Sequence, residues 1–113
     1  KAQLWLPSGG HVDPNEHPMQ TTERECVEEL GIKAEFLCNA PILLTSTITV
    51  GLTAGHTDVS LWYLLKGDSK KMLDYDQEEF HAIKWFSLNE IPFEKSDPHM
   101  RRFIQKLQAL NLL

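Results

Sequence analysis

The chain has 113 residues, enough for one small domain with a single core and too few for two. Its apolar share of 42% and charged share of 24% are those of an ordinary globular protein, and no run of about 18 apolar residues exists to span a membrane. A formal net charge of −5 argues against a nucleic-acid polymer as partner, which needs a basic face, yet allows a phosphate substrate if cations reverse the local sign.

Residues 3–6 read as the end of a strand, stopped by Pro7-Ser8-Gly9-Gly10. The first residue is Lys1 rather than methionine and no basic-then-apolar leader follows it, so the expectation is a chain that starts inside a longer one. A loop rich in Gly, Pro, Asp and Asn covers 10–16, and a helix is predicted over 17–30 with Pro18 tolerated in its first turn. Gly31 stands where a left-handed C-terminal cap wants glycine. Strands are predicted over 32–40 and 42–50, separated by Pro41, and over the strongly apolar 59–65 after a turn at 51–56. A polar loop follows over 67–78, then a short strand over 82–86. Ser87-Leu88-Asn89-Glu90 has a capping-box pattern for one helical turn. Asp97-Pro98 opens a last helix running to about Ala109. Strands and helices mix without strict alternation, which favours a mixed sheet with helices on its faces in one domain over 1–113. Cys26 and Cys38 lack CxxC or zinc-type spacing, so a reduced, cytoplasmic protein is expected.

The chemistry concentrates on the first helix. At roughly 100° per residue, Glu25, Glu28 and Glu29 fall in a fan about 100° wide, beside an apolar stripe of Thr22, Cys26 and Leu30. Arg24 relieves Glu28, but no basic residue of this helix answers Glu25 or Glu29. Such a triplet is either a solvated acidic face or an oxygen cage for a divalent cation such as Mg²⁺ or Mn²⁺. The surrounding spacing decides between them. Gly10, five residues, Glu16, seven residues, then Arg24-Glu25-Cys26-Val27-Glu28-Glu29-Leu30-Gly31-Ile32 resembles the Nudix box, with seven fixed residues and two apolar positions all in place.

That resemblance implies an α+β fold of the Nudix type, an α/β/α sandwich with a mixed sheet, here lacking the N-terminal strands; the sheet edge left open by their absence is expected to be covered by a second copy in a homodimer. It implies a Mg²⁺- or Mn²⁺-dependent hydrolase that cleaves a diphosphate linkage in a nucleoside diphosphate linked to a further group, by water attack at phosphorus. Glu28 and Glu29 resemble the main metal ligands, and Glu25 a further ligand or the general base. The backbone at Gly9 or Gly10 resembles the loop's contribution to the metal. Arg24 is implied to hold the carboxylates in register, Glu16 to brace the loop, and Gly31 to support the box. A non-catalytic domain of the same family, binding ligands or proteins, is the alternative; such domains commonly lose box glutamates that this chain keeps.

Outside the box, Glu78 and Glu79 in the acidic stretch 74–79 are candidates for the base or an extra ligand, against plain solvated polarity. Trp62 or Tyr63 would stack on a base, although core packing suits most of that strand. Arg101 or Arg102 would grip a phosphate, against a solvated helix face. Cys26 fills an apolar box position and reads as core rather than nucleophile. Residues diagnostic of three subgroups, for ADP-ribose, dinucleoside polyphosphates and NADH, are absent from 45–48 and its neighbourhood, which leaves a nucleoside triphosphate or related nucleotide as the expected substrate.

Overall fold

The computed structural model describes residues 4–48, 57–70, 73–78, 80 and 82–112. The first helix, α1 (Pro18–Glu25), begins on His17, whose Nδ1 accepts from the backbone N–H of Met19 at 3.1 Å. The Gln20 side chain returns the bond to the N–H of His17 at 2.9 Å, and proline sits where no intrahelical donor is needed. The same helix continues as a π turn over Cys26–Leu30. Gly31 then takes a left-handed conformation at φ 65°, and Ile32 N–H closes back on the Cys26 carbonyl at 3.2 Å. The sequence reading placed one regular helix here; the π segment is a departure from it.

Strands β1 (Leu43–Ile48) and β2 (Thr57–Trp62) pair antiparallel, Leu43 opposite Trp62 and Ile48 opposite Thr57. One face of this pair packs on the last helix, α2 (Met100–Ala109): the Trp62 ring lies 5.0 Å from that of Phe103, and its Nε1 donates to the buried Thr45 at 3.0 Å. Leu107 is the most buried apolar residue described, and Cys26, Ala34, Ile42 and Leu43 complete a small core. Leu44, Ile48, Val59 and Leu61 stay exposed, because alternation along each strand turns them to the opposite face.

The architecture is α+β. Three predicted strands differ from expectation. Over 3–6, Trp5 makes a single parallel bridge to Ser96. In 32–40, Phe36 alone bridges Leu65, with Leu37 N–H on Leu64 and Lys66 N–H on Glu35. No strand forms over the described part of 82–86; there Phe86 meets Trp5 edge-on at 5.1 Å, and Trp85 lies over Gly67. Side-chain alternation marks half-buried extended chain, but a ladder also needs a partner in register. Leu88–Glu90 and Phe93–Lys95 are single 3₁₀ turns, and Asp97 Oδ1 accepts from His99 N–H at 2.8 Å just ahead of α2. The predicted turn at 51–56 lies outside the described residues. Among those described, no helix is long and apolar enough to cross a membrane.

Candidate functional site

Loop and helix meet through two residues. Pro14-Asn15 turns the loop, Asn15 taking φ 64°, and this returns Glu16 N–H to the Asp13 carbonyl at 3.0 Å. The Glu16 carboxylate then accepts from Asp13 N–H at 3.1 Å, from the Thr21 hydroxyl at 2.7 Å, and from Arg24 Nε and Nη2 at 3.1 Å each. The Arg24 guanidinium above all, then Thr21 and the Asp13 amide, lower its pKa to about 2. Arg24 spends its remaining donors on Glu25 at 2.8 Å, Glu28 at 3.4 Å and the His11 carbonyl at 3.1 Å, with Asp13 at 3.5 Å, so Glu25 is paired within its own helix, contrary to expectation. One planar fork thus joins both halves of the site.

Between loop and helix lies an open cleft of about 410 Å³ lined by Gly9, Gly10, His11, Asp13, Arg24, Glu25 and Glu29. Gly10 lies so close to Glu25 that a Cβ there would occupy the carboxylate's place. Glu29 is buried, and its Oε1 accepts from the Ser8 hydroxyl at 2.9 Å. Its backbone carbonyl takes the N–H of Asp76 at 2.8 Å, which docks the acidic loop on the helix end. Asp74's carbonyl oxygen would stand 2.8 Å from a Cβ at Gly31.

The three carboxylates do not gather as a regular helix would present them. Bonding from i to i+5 puts more than four residues in a turn, which changes the directions in which Glu28 and Glu29 leave the helix from those of a regular wheel. The Glu28 side chain keeps 58% of its surface exposed, with its Oε2 3.4 Å from the same Arg24 Nη1 that bonds Glu25, and among the described residues no three His, Cys, Asp or Glu side chains stand close enough to hold an ion. The cleft does offer oxygen donors of the kind a hard divalent cation takes: Glu25, Glu29, Asp13 and the backbone at Gly9 and Gly10.

The remaining candidates lie elsewhere. Trp62 is committed to Thr45 and Phe103, Tyr63 meets Phe36 edge-on at 5.5 Å, and the Arg101 guanidinium sits 4.3 Å over the Phe93 ring. None lines the cleft. Glu78 is exposed, its N–H turned onto Asp76 Oδ1 at 2.9 Å, and Glu79 lies outside the described residues. Burial first, then the charges of Glu29 and Glu25, push the Cys26 thiol up, so Cys26 stays protonated in the core. Sequence reasoning missed Ser8, Asp13 and Thr21; the only sign of them was hydroxyl and carboxyl residues near the glycines and the helix start.

Comparison with known proteins gives a match to the NUDIX domain over residues 1–107. The asymmetrical bis(5'-nucleosyl)-tetraphosphatase of Rattus norvegicus is 33% identical over 91 residues, covering 76% of this chain and 57% of that protein. The chain therefore spans little more than half the length of this relative. No solved structure matches.

Proposed function

The chain belongs to the Nudix family, and from that premise we propose that it hydrolyses a diphosphate linkage in a nucleotide with the help of Mg²⁺ or Mn²⁺. The observation that carries this reading is the cleft itself, walled by Glu25, Glu29, Arg24 and the Gly9-Gly10 backbone. Glu25, Glu28 and Glu29, with the loop backbone at Gly9 and Gly10, would hold the cation. When bound, such a cation neutralises diphosphate charge and makes a bound water acidic near neutral pH. Glu25, fixed by Arg24 against Gly10, serves as a further ligand or as the base that takes the proton of the attacking water. Glu78 and Glu79, in the acidic stretch 74–79, are the alternative bases. Arg24 and Glu16 keep loop and helix in register, so the cleft need not reorganise when substrate arrives.

For the substrate we place a bis(5'-nucleosyl) tetraphosphate first, following the name of the rat relative, and nucleoside triphosphates second, following the sequence. The relative's similarity extends over 91 residues, whereas the triphosphate expectation rests on missing diagnostic positions. A nucleotide panel in Mg²⁺ and in Mn²⁺, with products resolved by ion-exchange chromatography, tests the proposal. Cleavage within a phosphate chain that ceases in chelator is the expected result. Turnover of no panel member, or Glu28→Gln retaining the full metal-dependent rate, would respectively reject the activity and that ligand.

A further inference from the structure

Ser8 precedes the paired glycines, and its hydroxyl crosses to Glu29 Oε1 at 2.9 Å rather than closing a turn on its own backbone. Serines in glycine-rich loops usually spend the hydroxyl locally, so this bond needs another account. The second half of the loop is tied to the helix by Glu16 and Arg24, through Asp13 N–H and the His11 carbonyl. At Gly9 the glycine half is open: nothing lies within 4 Å of where a Cβ there would be. The Ser8 side chain ties that half to the helix, and it ends on a carboxylate that lines the cleft and is only 8% exposed. A hydroxyl donating to a buried carboxylate fixes its rotamer.

We propose that Ser8 is a positioning residue, whose hydroxyl holds the Glu29 carboxylate in the cleft and the Gly9-Gly10 backbone at a set distance from it, and so sets the affinity for a divalent cation. The inference rests on the proposed reading of the cleft as a cation site. Partners that orient a metal's ligands are worth about 10- to 100-fold in metal affinity.

Mn²⁺ binding to the whole chain, followed by the electron paramagnetic resonance signal of free Mn²⁺, tests it with Ser8→Ala and with the isosteric pair Ser8→Thr and Ser8→Val. Ser8→Ala and Ser8→Val should each weaken binding about 10- to 100-fold, and Ser8→Thr should return it close to the parent value. In turnover, the Mn²⁺ concentration for half activation should rise by the same factor for Ser8→Ala, while kcat at saturating Mn²⁺ stays near the parent's. A Ser8→Ala protein that binds Mn²⁺ like the parent overturns the role of Ser8 and leaves the cation site standing. Threonine and valine variants that bind equally overturn it as well, since they differ only in the hydroxyl. A parent chain that takes up no Mn²⁺ overturns the cation site, and this proposal with it.

Discussion

Gly31→Ala probes the joint between the helix and the acidic loop. At φ 65° a Cβ costs roughly 1–2 kcal/mol in backbone strain alone. That Cβ would also stand 2.8 Å from the Asp74 carbonyl oxygen, a backbone atom that must shift for it. Two residues on, Asp76 N–H bonds the Glu29 carbonyl at 2.8 Å, and losing this bond adds about 0.5–1.5 kcal/mol. Alanine recovers about 0.4–1 kcal/mol by restricting the unfolded chain. The balance is a net loss of roughly 0.5–3 kcal/mol, or a fall in Tm of roughly 2–15 °C for a domain of this size. Urea unfolding followed by tryptophan fluorescence measures it. Gly31→Asn separates the causes, because asparagine tolerates the left-handed region but keeps the Cβ. It should recover part of the loss and no more. A Gly31→Ala protein within about 0.5 kcal/mol of the parent would refute both the strain and the loop contact.

Two further outcomes follow from the site. The Glu16 carboxyl has its pKa lowered from 4.5 to about 2, so the stability it contributes is present above pH 4.5 and fades as pH falls toward 2. Acid titration of the unfolding midpoint should therefore be shallower between those values in Glu16→Gln than in the parent; parallel curves would contradict the pairing with Arg24. Gly10→Ala puts a methyl where the Glu25 carboxylate lies and should displace it from Arg24, weakening Mn²⁺ binding about 10-fold or more with little change in Tm. Unchanged Mn²⁺ binding in that variant would show that the glycine is not needed for the approach of Glu25.

Much of this was legible from residues whose reason is local. Gly31 announced its left-handed turn, Pro18 and the residues around it announced the helix start, and Cys26 announced burial by filling an apolar position. The spacing from Gly10 to Ile32 carried the family. What escaped depends on distant neighbours. The π turn is a choice of hydrogen-bond partner that propensity does not encode, and it changes the directions in which Glu28 and Glu29 leave the helix from those of a regular wheel. The segments 32–40 and 82–86 have strand-like alternation, but ladder formation rests on a partner strand that the segment itself does not specify. Trp62, Tyr63 and Arg101 have side chains fit for a nucleotide, yet each finds an aromatic or hydroxyl neighbour away from the cleft. Ser8 had no signature beyond its place next to the glycines, and a serine there is ordinary loop composition.

The most direct measurement is the Mg²⁺-dependent hydrolysis rate of the best nucleotide substrate, compared between the parent and Glu29→Gln. A carboxylate that holds the cation at the reacting phosphate supports several kcal/mol of charge stabilisation, so the rate should fall by about 100-fold or more while the fold persists by circular dichroism. A folded Glu29→Gln protein that keeps the parent's rate and Mg²⁺ dependence would contradict the assignment of this cleft as the hydrolytic centre.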